Sequence, residues 1–400
     1  MLTLLLSLVS PVLANGQTTH LWISATAIGH VEDESLAELL TEHSSLLALG
    51  TMFPDGGYAI GHPYAETAHW EPFQDDFRDW IIDNYDDLSS PDAAAQVAFY
   101  MGLASHGMAD QVFDSMYMER SRVYDADDGW SVEAASLDTS QDVVFAHLTY
   151  PHSPPSDELP SVLPELFERH GVEVDMDTLT EGQRWLDLAV EGVAGMSEAD
   201  HLVDQHMDAF PWGCSHLLSE DVPGAPPFEA RVVAKYWESL WATLNGQSQD
   251  LSVIGWWPLS DTHGHPRQAD DVEARLSLVF NRGLYDAEVH AGSFQVESSS
   301  VMVPINLDLF YRDDSHVVNI APVDEWMDEA AHGLTVEGLS GTDGRGMASP
   351  FALTFHTGAE PIHDEEQEEL KDCGCAQARG AHWVWFSGLL ILINRRRSSD

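Results

Sequence analysis

His106, Asp110 and Asp114 recur at i, i+4 and i+8 within a Pro-free stretch, AAAQVAFYMGLASHGMADQVFDSMYMER, at 93–120. On an α-helix that spacing stacks three ionisable groups on one face. Leu103, Met108, Phe113 and Met116 flank them, so the face lies against apolar surroundings, where an uncompensated charge is unfavourable. Imidazole nitrogen and carboxylate oxygen are the donors a zinc ion accepts when thiolate is absent. A solvated helix face with an incidental histidine would read the same way, and the helix alone does not decide. Four further stretches carry chemistry-bearing side chains: Thr18-Thr19-His20-Leu21-Trp22, Gly50-Thr51-Met52-Phe53-Pro54-Asp55-Gly56-Gly57-Tyr58, Glu66-Thr67-Ala68-His69-Trp70-Glu71-Pro72-Phe73 and Leu137-Asp138-Thr139-Ser140-Gln141-Asp142.

Composition narrows the chemistry. The 400 residues hold 20 His and only 3 Cys, with 17 Lys+Arg against 67 Asp+Glu and a net charge of −50. Two of the cysteines, Cys373 and Cys375, lie in the tail, so Cys214 is alone in the body and no thiolate zinc site or disulfide framework can form there. Any metal ligands must then be His, Asp and Glu. So acidic a chain excludes a basic nucleic-acid-binding surface, which needs clustered Lys/Arg to displace counterions. It also argues against a polybasic membrane patch. With 44% apolar residues the chain nonetheless has enough to build a core.

The elements that must position these residues are helical first and extended later. Apolar spacings of three and four run through 93–120, 161–209 and 227–244, broken by the Pro-rich PHSPPSDELP at 151–160 and VPGAPP at 222–227. After Pro258 the period falls to two: Val272, Ala274, Leu276, Leu278 and Phe280, then Leu307, Leu309 and Tyr311, then Phe351, Leu353 and Phe355. Short strands with turns such as Thr342-Asp343-Gly344 predict a β-sandwich of roughly 100 residues. The segment GLSGTDGRGMASPFALTFHTG resembles the end of bacterial Ig-like domains, which marks this half as an accessory module.

Taken in order, the Thr-His start, Phe-Pro-Asp, Ala-His-Trp-x-Pro-Phe, Gly-x-x-Ser-His-x-x-x-Asp and Asp-x-x-x-Asp motifs resemble the zinc-dependent phospholipase C family. The likeness is greatest to the catalytic domains of glycosylphosphatidylinositol-specific phospholipases D. It covers about residues 15–150 well and the helical remainder to about 250 weakly. It implies a mainly α fold, a helical bundle of the zinc-dependent phospholipase C/nuclease type, followed here by the small all-β Ig-like sandwich. It also implies two Zn²⁺ ions held by His20, Asp55, His69, His106 and Asp110, with Asp110 bridging and Asn15 contributing its backbone as a mature N-terminus. A third site falls on Asp114, Asp138 and Asp142. Three carboxylates suit Ca²⁺, Mg²⁺ or Mn²⁺ better than zinc.

Two close divalent ions can lower the pKa of a bound water and stabilise both oxygens of an in-line displacement at phosphorus. The expected activity is therefore hydrolysis of a phospholipid-type phosphodiester, with Asp55 as ligand or general base. A zinc nuclease or nucleotidase, or a catalytically silent surface protein stabilised by metal, are the alternatives. His201 and His206 read as surface or packing residues, and Trp70 and Tyr58 as core rather than substrate contacts. His147 and His152 sit by a Pro-rich loop that could line a cleft rim, and His263 and His265 lie in the linker.

The ends suggest a surface protein. Residues 1–14 read as a secretory signal peptide, with Val12 and Ala14 at the −3 and −1 positions. The expected order is then the helical phospholipase-like domain at 15–250, the sandwich at 258–358 and a tail at 359–400. In the tail an acidic spacer precedes Cys373-Gly-Cys375, an apolar run from Trp383 to Ile393, and Arg395-Arg396-Arg397. That order resembles myxobacterial surface-sorting signals. The alternative is a plain membrane anchor, although the run is short of the ~20 residues of an ordinary span. Membrane contact is expected through substrate and tail.

Overall fold

The computed structural model describes residues 15–126, 134–150, 152–309 and 315–358. The expected signal peptide, the tail and Tyr311 lie outside the described residues. Among those described, the first half is helical: α1 (Gln17–Ala27), α2 (Glu34–Glu42), α3 (Ser44–Met52), α4 (Gly56–Ile60), α5 (Tyr64–His69), α6 (Glu71–Asn84) and α7 (Pro91–Val112). There follow α8 (Glu119–Asp125), α9 (Ala134–Leu148), α10 (Leu163–Arg169), α11 (Met176–Ser197), α12 (Asp200–Ala209), α13 (Pro211–Ser215) and α14 (Pro226–Leu244).

Helix α7 is the axis of this half. Pro91 starts it with a pre-set φ and no amide hydrogen to leave unpaired. From Val97 to Val112 every residue is buried, because other helices surround it. Its closest partner is α3. A Cβ on Gly50 would stand 2.0 Å from the Phe99 carbonyl oxygen, and one on Gly102 would stand 2.1 Å from that of Leu47, so both positions require glycine for the two backbones to meet. On another side the Trp237 indole of α14 donates to the Met101 carbonyl at 2.7 Å. Beyond Val112 the helix widens into a π turn, Phe113–Met118, before α8.

The second half is two four-stranded antiparallel sheets. One has the order β1 (Val253–Trp257), β2 (Leu276–Phe280), β6 (Val317–Pro322), β5 (Ile305–Asp308). The other has the order β4 (Val301–Val303), β3 (Phe294–Ser298), β7 (Ala331–Val336), β8 (Phe351–His356). Leu276, Leu278, Val318 and Ile320 of the first share one core with Phe294, Val296, Leu334 and Phe355 of the second, which makes a sandwich. The predicted order of helices then sheets is the observed one.

Two details differ from the alternation read in the sequence. Val272 and Ala274 form a 3₁₀ turn, started by the Asp271 carboxylate accepting from the Glu273 amide, and the strand begins only at Leu276. Strand β2 is also buried at every residue. Its Leu278 side faces the sandwich core, while Val279, with Val317 of β6, joins the core of the helical half. The helical and β regions thus form one compact unit. No helix of the described residues is long and apolar enough to cross a membrane.

Candidate metal centre

Five of the residues singled out by sequence meet at the front of α7. His106 and Asp110 come from α7 itself, His20 from α1, Asp55 from the 3₁₀ turn after α3, and His69 from the last residue of α5. All five are buried. Two overlapping groups, His20/His106/Asp110 and Asp55/His69/His106, each bring one donor atom per residue within 4.8 Å of the others.

The orientation of the imidazoles follows from their outer nitrogens. His106 Nδ1–H donates to the Thr51 carbonyl at 2.8 Å and His69 Nδ1–H to the Ala65 carbonyl at 2.6 Å. A backbone carbonyl can only accept, so in neutral rings both Nε2 atoms carry lone pairs. Those two nitrogens face each other at 3.1 Å. Asp55 Oδ1 lies 3.4 Å from His69 Nε2 and 3.6 Å from His106 Nε2. Asp110 Oδ2 lies 3.6 and 3.4 Å from the same pair. On the other side of Asp110, Oδ1 is 2.9 Å from His20 Nε2, yet neither atom has a hydrogen-bond partner. The donors converge on shared points rather than on one another.

Such a cluster of donor atoms could hold a cation. Burial works against charge on His69, but the hydrogen bond and charge of Asp55, with the charge of Asp110, outweigh it and raise this imidazole to about 9. Burial pushes His20 down to about 4 and lowers His106 as well. It lifts Asp110 to about 7. Asp55 is drawn well below the ordinary carboxylate range, because His106 and His69 outweigh its burial. A divalent ion on neutral imidazoles and carboxylates would relieve the same repulsion, and the donor set fits it.

Asn15 is buried beside this cluster, and its backbone acts to raise the His20 imidazole and to lower the Asp110 carboxyl. Its side-chain amide donates to Glu229 Oε2 at 2.7 Å. The three carboxylates expected at a third site are all buried. Asp142 caps α1 from a distance: its oxygens accept from the Thr18 and Thr19 amides at 3.0 and 2.7 Å and from the Thr19 hydroxyl at 3.0 Å. The N-cap residue, Gly16, has no side chain to do this, and a Cβ there would lie 2.4 Å from Asp142 Cγ. Asp114 sits in the π turn, near enough to Glu229 for its charge to act on that carboxyl. Asp114 and Asp138 are buried, but neither belongs to a group of three metal-capable donors among the described residues.

Sequence reasoning missed two members. Gln17, one turn before His20, donates from Nε2 to Asp55 Oδ2 and so leaves Oδ1 toward the histidines. Glu229 on α14 is fully buried with one oxygen unpartnered. Burial, with the charges of Asp110 and Asp114, holds its carboxyl well above the usual range despite the Asn15 hydrogen bond. A carboxylate inside Pro-Pro-Phe-Glu-Ala, on an otherwise apolar helix face, was the available signal.

No protein-family profile matches the chain. Among curated proteins it is similar to phosphatidylinositol-glycan-specific phospholipase D. The match to the Rattus norvegicus protein is 32% identical over 130 residues, 30% of this chain and 15% of the relative. The Bos taurus and Homo sapiens proteins match at 32% and 31% over 115 residues, 26% of this chain and 14% of each relative. The chain is a distant relative of these phospholipases. It spans only about a seventh of their length. Solved structures add nothing: the surface-layer protein rSbsC(31-844) overlaps 81% of this chain and 46% of its own at 9% identity and a TM-score of 0.23. The LD transpeptidase LdtMt1 overlaps 28% of this chain and 41% of its own, at 13% identity and 0.20. Scores so low carry no argument.

Proposed function

We propose that the protein is a metal-dependent phosphodiester hydrolase acting on phospholipid-type substrates, among them glycosylated phosphoinositides. The observation that carries this is the apposition of His69 and His106 through their lone-pair nitrogens at 3.1 Å, with Asp55 and Asp110 on either flank. The relationship to phosphatidylinositol-glycan-specific phospholipase D supplies the substrate class.

In this reading His69, His106 and Asp55 hold one ion, His20 and the Asn15 backbone a second, and Asp110 faces both. Zinc suits the nitrogen-rich set. Bound there, such ions lower the pKa of a water and neutralise charge on the phosphate oxygens. The protein's own residues prepare the site. Thr51 and Ala65 fix the tautomers of His106 and His69 through their carbonyls. Gln17 engages the outer oxygen of Asp55, which favours a ligand over a general base for that carboxylate. A third ion, Ca²⁺, Mg²⁺ or Mn²⁺ before zinc, would fall to the buried carboxylates Asp114, Asp138 and Asp142. The net charge of −50 means an anionic diester is drawn in by the bound cations, not by the field of the protein. Secretion and retention at the cell surface, through residues 1–14 and 359–400, complete the proposal.

The test is hydrolysis of phosphatidylcholine, phosphatidylinositol and a plain phosphodiester by the zinc-loaded wild type and by Asp110→Asn. The variant should lose at least about a hundredfold in kcat/KM, in line with removal of a group that holds catalytic charge. Undiminished hydrolysis by Asp110→Asn would refute the mechanism.

A further inference from the structure

Glu71 opens α6 two residues after His69 and is buried. Its partners come from the β region, more than 200 residues away. Oε1 lies 3.1 Å from His316 Nε2 and 3.4 Å from Arg282 Nη1. Oε2 accepts from the Gly283 amide at 3.1 Å and the Thr342 hydroxyl at 3.2 Å. His316 Nδ1–H donates to the Phe280 carbonyl at 2.9 Å, which fixes the ring with Nε2 toward the carboxylate. Arg282 reaches on to Asp75 at 3.2 Å and Asp343 at 3.4 Å.

The same β region also holds α7 and the π turn that follows it. The His316 amide donates to Gln111 Oε1 at 2.8 Å, next to Asp110. Asn319 Nδ2 donates to the Ser115 carbonyl at 3.0 Å, next to Asp114. Within the helical half, Gln74 of α6 donates to the His69 carbonyl at 2.9 Å, so movement of α6 is transmitted to His69. The His69 carbonyl in turn lies so close to α7 that a Cβ on Gly107 would stand 2.3 Å from it.

We propose that Glu71 is a positioning residue that locks the His69 limb of the metal centre to the β region. The β region is then part of the metal-binding unit rather than a separable module. The proposal rests on the metal reading above, and its test separates the two. Co²⁺ is titrated into the full-length apoprotein and followed by visible absorption, alongside a thermal melt. Glu71→Gln should weaken Co²⁺ binding by tenfold or more and alter the absorption band. Thr342→Val, which removes one hydrogen bond from Glu71, should weaken it two- to threefold. Arg267→Met breaks a surface pair of the β region with Glu325 and Asp328; it should leave Co²⁺ affinity unchanged even where the melt is lowered. Should Glu71→Gln not fold, Thr342→Val decides. Wild-type affinity in folded Glu71→Gln and Thr342→Val, or an equal loss in Arg267→Met, would overturn the positioning role while leaving the metal reading intact. No Co²⁺ uptake by the wild type would overturn both.

Discussion

Two clusters of buried charge lie against opposite sides of the α5–α6 junction, and they are built on contrary principles. At the back, an arginine, an amide and a hydroxyl all donate toward Glu71, beside the His316 ring. At the front, two imidazole nitrogens and two carboxylates approach within 3.1–3.6 Å, and with the rings neutral every one is an acceptor. A buried carboxylate with enough donors holds structure together. A buried set of imidazole nitrogens and carboxylate oxygens is the kind of donor set a divalent ion takes. The proposed chemistry belongs to the front cluster.

The contrast sets an order of effects. Loading the front cluster should stabilise by mass action, about 4 kcal/mol per site at a thousandfold excess over Kd. Thermal melts with zinc and with chelator measure this; identical melting temperatures would erase the difference between the two clusters.

The back cluster should yield next. Glu71 is drawn from near 4.5 to about 2, since His316 and Arg282 outweigh its burial. A depressed carboxylate stabilises the fold above its unfolded pKa, and that contribution disappears as pH falls through the folded value. Glu71→Gln should thus lose about 3 kcal/mol at neutral pH, from ~2.5 pKa units at 1.36 kcal/mol each. The gap should close between pH ~4.5 and ~2, as read by urea unfolding of metal-free protein. A gap independent of pH would mean packing, not charge, dominates there.

The smallest effect belongs to Asp142, which caps α1. Asp142→Ala should destabilise by about 1–2 kcal/mol, as loss of a helix cap does. Zinc stoichiometry should stay the same, whereas a lost equivalent would place Asp142 among the zinc ligands.

The front cluster was more legible in sequence than the back. His106 and Asp110 follow from helical spacing, and His20, Asp55 and His69 from motif order. The π turn that holds Asp114 escaped the spacing argument, because no periodicity announces such a turn. Asp142 was assigned by motif alone, while its actual partners, the amides of Thr18 and Thr19, are set by tertiary packing. The order of helices then sheets was readable, but the attachment between them was not. Glu71 and Arg282 are 211 residues apart, and each alone looks like ordinary surface charge. Strand β2 hid its second buried face for the same reason: Ser277 and Val279 look permissive until the helical half covers them.

The central claim is that the His/Asp cluster on α7 exists to hold divalent ions. Elemental analysis of the full-length protein, equilibrated with zinc and freed of excess, tests it most directly. The account predicts about two zinc ions per wild-type chain and fewer in Asp110→Asn. A wild type without bound metal, or a stoichiometry unchanged by that substitution, would contradict it.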